Sequence, residues 1–207
     1  MARRGAELRE HILDTAKDLF LESGFERTSM DSIASHASTS KRSLYAHFAT
    51  KDALYLAVIE RMRRLFEARL AEPVHYASDP VHAMVLFCGR FLQLLNWTIV
   101  LRTWRTAIAE VEREPSIAAE LYLVFFGTAT ERLADHVADS FGMDPAAART
   151  LAERVLGMTL YPDLPRALSG VSSLRDDVPE ESAVADDSDL DRIRGSIEAV
   201  LPAARRH

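Results

Sequence analysis

Two short helical patterns separated by a polar turn lie within residues 28–56 and constrain the fold more than any other feature of the chain. The first has an apolar stripe at residues 33–37, enough for a helix of about two or three turns. Residues 38–40, Ser-Thr-Ser, do not continue it easily, because their hydroxyls compete for backbone hydrogen bonds. In the second pattern Leu44 and Phe48 lie four positions apart and therefore share one inward side of a helix.

Each of these helices has residues suited to begin it. Thr28 and Asp31 form a Thr-x-x-Asp pair, in which a hydroxyl and a carboxylate satisfy free backbone N–H groups at a helix start. Ser40 is the predicted N-cap of the second short helix. Thr50 is the predicted N-cap of a third, longer helix, whose first turn contains Asp52, where the helix dipole favours a negative charge.

The outward side of the second short helix is cationic and polar. Lys41 and Arg42 stand in its first turn, and Ser43, Tyr45 and His47 follow on or near the same side. Helix-turn-helix proteins present cationic side chains to the DNA major groove in this way, so the pattern predicts binding to operator DNA. Two other interpretations stay open: such helix pairs also occur in proteins that do not touch DNA, and a lysine–arginine pair alone is typical of a solvated helix end.

The same stretch resembles the DNA-binding domain of TetR/AcrR-type transcriptional regulators. The matching positions combine apolar, capping and polar residues: Thr28, Ile33, Ala34, Ala37, Ser40, Leu44, Tyr45, Phe48, Lys51 and Leu54. The chain departs from the family pattern at Ser38 and Thr39, where glycine and valine are usual, and at Arg42, where a small residue is common. Arg42 adds a potential contact to a base or a phosphate.

The resemblance implies an all-α protein with two domains. An N-terminal three-helix helix-turn-helix DNA-binding domain is expected at residues 1–50, with a linking helix at 51–71, followed by a C-terminal helical ligand-binding and dimerisation domain at 72–207. It also implies a ligand-responsive regulator, most often a repressor, that a small and mostly apolar inducer releases from DNA. Because one short recognition helix reads few base pairs, we expect a homodimer on a palindromic operator with half-sites about 34–36 Å apart or a multiple of that.

The expected DNA contacts fall into three groups. Contacts to base edges or flanking phosphates are predicted for the first turn of the recognition helix: Lys41, Arg42 and Ser43. Phosphate contacts through a hydroxyl, a phenol or an ammonium group are predicted for three residues: Thr28, Tyr45 and Lys51. Secondary candidates are Thr39, Ser40 and His47.

Charge is distributed unevenly along the chain, whose net charge is -6. Residues 1–70 contain 12 Lys and Arg against 10 Asp and Glu, a net +2, whereas residues 71–207 contain 13 against 21, a net -8. This division places nucleic-acid contact in the front part of the chain. Because +2 is a small charge, individual positions must provide the binding.

Helical periodicity continues through the rest of the chain, and no strand pattern is present. Helices are predicted at about 7–23, 51–71, 81–96, 99–113, 115–141, 145–159 (with an extension to 168) and 189–201. Residues 170–188 are acidic and poor in large apolar groups, which predicts an irregular loop. Residues 104–115 are similar to a stretch R-x-x-I-A-E-x-x-R-F-P in the C-terminal domain of the AefR-like subgroup of TetR regulators. That similarity implies a domain that dimerises and often encloses a ligand.

Two further sets of apolar residues are candidates for that domain. Large adaptable side chains could line a pocket between helices: Met84, Phe87, Phe91, Trp97, Trp104, Tyr122, Phe125, Phe126, Met158 and Tyr161. The last two helices could supply a four-helix dimer interface: Leu151, Val155, Leu156, Leu160, Leu190, Ile193, Ile197 and Val200. The alternative for both sets is ordinary packing within one chain.

An enzyme is the rival class, and the sequence argues against it. It contains no His-Glu-x-x-His motif, no glycine-rich phosphate loop and no Glu-x-x-His pair, so neither a catalytic residue, a cofactor nor a bound metal is expected. A helical protein-interaction module without specific DNA binding remains the other alternative. The single cysteine, Cys88, lies among apolar residues and is expected to be buried and inert. One cysteine, no secretory signal and no membrane-spanning run predict a cytoplasmic protein with no membrane partner.

Overall fold

The described part of the chain is helical throughout. The computed structural model describes residues 2–112, 115–172 and 187–201, and these residues contain no β-strand, which confirms the predicted all-α class. Most of the predicted loop at 170–188 lies outside the described residues. The chain divides into two compact units: residues 1–65 with 106–118, and residues 66–105 with 119–207. The functional assignment of the domains at 1–50 and 72–207 stays a prediction.

Three helices and the start of a fourth form most of the first unit. They are α1 (Ala2–Ser23), α2 (Met30–His36), α3 (Lys41–His47) and α4 (Lys51–Arg69). Helix α2 packs against both α1 and α3. The core consists of apolar side chains that are completely buried: Ile12, Leu13, Ala16, Ile33, Leu44 and Leu54. Burial of these faces stabilises α2 and α3, which at seven residues each are too short to be stable as isolated helices.

The second unit contains most of the remaining helices. They are α5 (Pro80–Leu95), α6 (Thr98–Glu110), α7 (Pro115–Tyr122), α8 (Thr128–Phe141), α9 (Pro145–Leu160), α10 (Asp163–Leu168) and α11 (Asp187–Val200), of which α6 and α7 also contribute residues to the first unit. Helix α11 packs on α5 and α9, and α8 packs along α9. Leu123–Gly127 form a π-helical segment between α7 and α8. The predicted single helix at 115–141 therefore changes its hydrogen-bonding pattern midway.

The residues predicted to form a dimer interface are mostly covered by their own chain. Five of them are buried within the described structure: Leu151, Val155, Leu156, Ile193 and Ile197. The other three are half-buried: Leu160, Leu190 and Val200. The reason is that α11 lays its apolar face on α5 and α9, so the stripe on each helix is used for packing within the protomer. The predicted interface is wrong for the five buried residues.

None of the helices that the structure describes combines the length and the apolar character needed to cross a bilayer.

Candidate nucleic-acid interface

Helix α3 is held by a cap at its start and by apolar packing on its inner side. The Ser40 Oγ accepts a hydrogen bond from the Ser43 backbone N–H at 3.0 Å, which confirms Ser40 as the N-cap. Leu44 is completely buried and Phe48 is 4% exposed, as their spacing predicts. The Arg9 guanidinium of α1 lies 5.1 Å from the centre of the Phe48 ring. The orientation of α3 is thus fixed by its neighbours in the first unit.

The turn between α2 and α3 contains a residue in the left-handed backbone region. Ser38 has a φ of 48°. The Thr39 N–H donates to the Ala34 carbonyl at 3.0 Å, and the Ser38 N–H donates to the Ser35 carbonyl at 3.1 Å. These two bonds form a Schellman motif, whose left-handed position is usually glycine. The departure at Ser38 noted in the sequence therefore falls on a position that glycine would occupy without strain.

Helix α2 is capped by a different pair from the one predicted. Ser29 is the N-cap, and its Oγ accepts from the Ser32 N–H at 3.0 Å while the Ser32 Oγ accepts from the Ser29 N–H at 3.2 Å. Thr28 is 3% exposed, and its hydroxyl lies 2.8 Å from the Gly24 carbonyl and 3.2 Å from the Leu19 carbonyl. Thr28 is therefore neither the cap nor available to a phosphate, and both predictions for it are wrong.

The outer side of α3 carries the predicted cationic and polar groups. Lys41, Arg42 and Tyr45 are exposed, and Ser43 and His47 are half-buried. Among the secondary candidates, Ser40 is exposed and Thr39 is half-buried. The structure thus brings one compact set of polar side chains to the surface at and beside the first turn of α3.

One of the two cations of α3 is paired. The Lys41 Nζ lies 2.6 Å from the Asp31 Oδ2 of α2, and both side chains are more than half exposed. An ion pair this exposed contributes only about 0–1 kcal/mol. A phosphate can therefore replace Asp31 at little cost. Arg42 has no ion-pair partner among the residues that the structure describes.

Lys51 is engaged within the first unit. Its Nζ donates to the Phe25 carbonyl at 3.0 Å and lies 4.1 Å from the centre of the Phe25 ring. Phe25 in turn contacts Phe20 and Tyr55, with ring centres 5.7 and 4.9 Å away. Through these two contacts, the Lys51 ammonium holds the turn after α1 against the start of α4. The predicted phosphate contact at Lys51 is not supported by this arrangement.

An ion-pair network joins α1 to α4. The Arg61 guanidinium lies 2.5 Å from the Asp14 carboxylate and 3.1 Å from that of Glu10. The hydrogen bond from Arg61 lowers the pKa of Asp14 below its ordinary value, although partial burial opposes this shift. The same contact raises the pKa of Arg61. Both groups are therefore charged at neutral pH.

The predicted pocket residues separate into two groups. Six aromatic side chains of the second unit are linked by ring contacts, and we call them the aromatic cluster: Phe66, Phe91, Trp104, Tyr122, Phe125 and Phe126. Of the other predicted residues, Met84 and Phe87 are buried and Trp97 lies 5.8 Å from the Arg69 guanidinium. Met158 and Tyr161 are 37% and 71% exposed, so they do not line an enclosed pocket within the described chain.

The sequence did not indicate a polar cleft that lies elsewhere in the second unit. It has a volume of about 360 Å³ and contains none of the predicted pocket residues; its lining residues are Glu72, Pro73, Val74, Arg132, Asp135, His136, Asp139 and Ser140. The spacing of Asp135, His136 and Asp139 on one helix was the only available signal, and it is also typical of a solvated helix face. Within the described ranges, no group of His, Cys, Asp and Glu is arranged to hold a metal ion.

Comparisons with known proteins agree with this geometry. Residues 12–58 match the family model of bacterial regulatory proteins, tetR family. The HTH-type transcriptional regulator UidR of Escherichia coli K12 is 32% identical over 114 residues, which are 55% of this chain and 56% of UidR. The chain thus spans about half the length of this curated relative.

Two solved structures extend the similarity along the chain. A TetR-family transcriptional regulator from Mesorhizobium loti MAFF303099 has a TM-score of 0.71 and 21% identity, with 95% of this chain and 96% of that chain covered. The Flavonoid-responsive Regulator FrrA has a TM-score of 0.71 and 26% identity, with coverages of 94% and 93%.

The fold and the exposed cationic helix define a helix-turn-helix protein of the kind that binds DNA. Residues 12–58 are thus similar to the DNA-binding region of the TetR family of bacterial transcriptional regulators, and the whole chain has the fold of such regulators. These regulators bind operator DNA, usually dimerise and usually bind small-molecule effectors. TetR-family regulators are not enzymes. The similarity to them in sequence and fold therefore confirms the prediction that this protein is not an enzyme. The more detailed similarity of residues 104–115 to the AefR-like subgroup stays a prediction.

Proposed function

We propose that this protein is a TetR-family regulator that represses transcription in the cytoplasm by binding a palindromic operator as a homodimer. The observation that carries the proposal is the exposed first turn of α3, with Lys41 and Arg42 projecting from a rigidly capped helix. Arg42 is suited to read a guanine edge, because a guanidinium donates two parallel hydrogen bonds to it. Lys41 is suited to a phosphate, which would take over from Asp31. Tyr45 is suited to a phosphate through its exposed phenol.

The dimer requires a different interface from the one the sequence predicted. We propose that the exposed sides of α9 and α11 pack against a second copy: Thr150, Glu153, Gly157, Met158, Asp191, Gly195, Glu198 and Ala199. A Cβ added at Gly157 or Gly195 would meet no atom within 4 Å, so a neighbouring helix could approach closely there. In support, Met158 is a large apolar side chain left 37% exposed on this side of α9.

We propose a mostly apolar, aromatic effector that binds in the second unit and lowers operator affinity. The aromatic cluster supports this, since aromatic rings offer stacking surfaces to a planar ligand. The similarity to FrrA, whose name describes a flavonoid-responsive regulator, supports a polyphenolic class. Release from DNA follows only if the effector binds one conformation of the protein better than the other.

The DNA-binding proposal is tested with an operator selected from a random oligonucleotide pool. Lys41→Ala with Arg42→Ala should weaken specific binding about 100-fold or more in a gel-shift titration, since about two contacts of 1–3 kcal/mol each are lost. The matched control is Arg63→Ala with Arg64→Ala, which removes two adjacent cations from α4 and should change affinity less than about threefold. Equal losses in both variants, or no enriched sequence, would favour the protein-interaction module instead.

The dimer and the effector have separate tests. Gly157→Glu should convert the dimer to a monomer in analytical ultracentrifugation, whereas Ala146→Glu, in the exposed first turn of α9, should leave it intact. A wild-type monomer, or a dimer in both variants, would refute the proposed interface. The flavonoid naringenin, used as probe, should release operator DNA from the wild-type protein. Unchanged binding at saturating naringenin would refute the polyphenolic class.

A further inference from the structure

We propose that Trp104 is the hydrogen-bonding residue of the effector site, and that its indole N–H donates to a neutral acceptor oxygen on a planar aromatic effector. This inference rests on the effector binding proposed above and adds the chemistry that recognises the ligand. The observation behind it is that the Trp104 Nε1 is buried and has no hydrogen-bond partner among the residues that the structure describes. The whole residue is only 9% exposed.

A buried indole N–H without an acceptor needs an explanation. Burial removes the group from water, and the lost hydrogen bond costs free energy unless another acceptor replaces the water. Buried tryptophans therefore usually have a partner for this N–H. In the part of the chain that the structure describes, the Trp104 Nε1 is the one buried polar side-chain atom that has no hydrogen-bond partner. A bound molecule that supplies an acceptor would remove this cost.

The backbone next to Trp104 is also irregular. Phe125 and Phe126 belong to the π-helical segment Leu123–Gly127, and their ring centres lie 6.2 and 5.4 Å from that of Trp104. Single π-helical turns within α-helices frequently occur at functional sites. Here the irregular turn brings two successive rings against the same indole. The unpartnered N–H and the π-helical turn are two independent observations at one place.

A path of aromatic rings connects this place to the surface. Tyr122 is 57% exposed, and its ring centre lies 5.3 Å from that of Phe126, at an interplanar angle of 34°. Phe126 is half-buried and also contacts Phe91, at 6.0 Å. Tyr122 and Phe126 therefore offer aromatic faces to a planar ligand between the surface and Trp104.

The ligand chemistry follows from the donor and its surroundings. An indole N–H only donates, so the complementary group must be an acceptor such as a carbonyl oxygen. The side chains of the aromatic cluster are uncharged, so they offer no counter-ion to a carboxylate that loses its hydration among them. We therefore assign a neutral carbonyl or ether oxygen to the ligand. An ammonium group would leave the N–H without an acceptor.

The experiment compares two probes that differ in the acceptor alone. 1-Indanone and indane have the same fused-ring skeleton, but only 1-indanone has a carbonyl. Both are titrated into the full-length wild-type protein, Trp104→Phe and Trp97→Phe, and affinities are read from backbone amide shifts in NMR spectra. Trp104→Phe keeps an aromatic ring and removes the N–H. Trp97→Phe is the matched control, because it removes the other tryptophan, which contacts the Arg69 guanidinium and does not belong to the aromatic cluster.

We expect Trp104→Phe to bind 1-indanone about fivefold more weakly than the wild type does, because one net hydrogen bond is lost. The variant and the wild type should bind indane with equal affinity. Trp97→Phe should bind both probes as the wild type does. In that variant the remaining indole N–H signal should shift with 1-indanone and not with indane. The N–H signal provides a second readout that does not depend on the stability of Trp104→Phe.

Three outcomes would overturn the assignment. Equal affinity of wild type and Trp104→Phe for 1-indanone would show that the N–H does not recognise the carbonyl, although the aromatic effector proposal would survive. Equal weakening for both probes would show that Trp104 acts through packing alone. Failure of the wild type to bind either probe would overturn the assignment together with the aromatic site. None of these outcomes affects the DNA-binding proposal.

Discussion

Replacing Ser38 by glycine should stabilise the protein, because Ser38 has a φ of 48° in the turn before α3. An L-residue in the left-handed region is strained by contact of its Cβ with the backbone, at a cost of about 1–2 kcal/mol. Glycine removes the strain but loses more backbone entropy on folding, by about 0.5–1 kcal/mol. The midpoints of these two ranges differ by about 0.75 kcal/mol, so Ser38→Gly should raise the free energy of unfolding by about that amount.

Thermal unfolding followed by circular dichroism measures this effect. For a chain of this length, 1 kcal/mol corresponds to about 2–4 °C in Tm, so the variant should melt about 1–4 °C above the wild type. The matched control is Ser35→Gly, three residues earlier, where the serine is exposed on α2. There glycine should destabilise by about 0.5 kcal/mol, because it is the poorer helix former.

The same substitution at neighbouring positions should thus have opposite effects. The Schellman hydrogen bonds involve backbone atoms alone, so Ser38→Gly should keep the orientation of α3 and leave operator affinity unchanged. A Tm for Ser38→Gly that equals or falls below that of the wild type would refute the argument. So would an equal rise in Tm for Ser35→Gly, because it would show that the gain does not depend on the left-handed backbone.

Three further predictions follow from charge and burial. Asp31→Asn should free Lys41 before DNA binds and raise operator affinity by at most about fivefold, because the exposed pair that is lost contributes only about 0–1 kcal/mol; the slope of log affinity against log salt should stay the same, since Lys41 contacts the same phosphate in both proteins, and a slope steeper by about 0.9 in anisotropy titrations would contradict this. Arg61 lowers the pKa of Asp14, so the carboxylate stabilises the fold above about pH 4 and this contribution is lost as the pH falls through the folded-state pKa. Asp14→Asn should therefore lower Tm at pH 7, and the difference from the wild type should shrink below about pH 4; a difference that is constant with pH would refute the linkage. Burial raises the pKa of Cys88 to about 12, so Ellman's reagent should react with the native thiol only as fast as the protein unfolds, and rapid reaction in native buffer would disprove its burial.

The parts of the fold that the sequence predicted correctly depend on short-range interactions. Ser40 and Thr50 bond to backbone N–H groups three residues away, and Leu44 and Phe48 share a helix face because they are four apart. Capping preference and helical periodicity are properties of such short segments. They were sufficient to find α3 and its outward face.

The parts that failed depend on residues distant in sequence. The Thr28 hydroxyl contacts a carbonyl nine residues earlier at Leu19, and the Lys51 ammonium contacts one 26 residues earlier at Phe25. No local pattern distinguishes these engaged groups from free ones. Similarly, an amphipathic stripe shows that a face will be buried but not which helix covers it. That is why Ile193 and Ile197, predicted to face a second copy, pack inside their own protomer.

The small net charge of residues 1–70 does not describe how the cations of the first unit are used. Several acidic groups there are neutralised by pairs along α1 and α4: Arg61 contacts Asp14 and Glu10, and Arg63 contacts Glu60 at 2.7 Å. These pairs fix the helices to one another or stabilise one helix. They add little attraction for DNA, because each pair is nearly neutral at a distance.

The two cations of α3 are held less firmly by acidic partners than the paired cations of α4 are. Lys41 has an exposed partner on α2, and Arg42 has no ion-pair partner in the part of the chain that the structure describes. Both can therefore exchange water or a weak pair for a phosphate or a base edge at small cost. A protein with a net charge of only +2 over its first 70 residues can still offer a concentrated positive surface at one helix. In the binding mode proposed above, affinity for DNA depends on these two positions rather than on overall charge, which would allow an acidic protein to bind a polyanion.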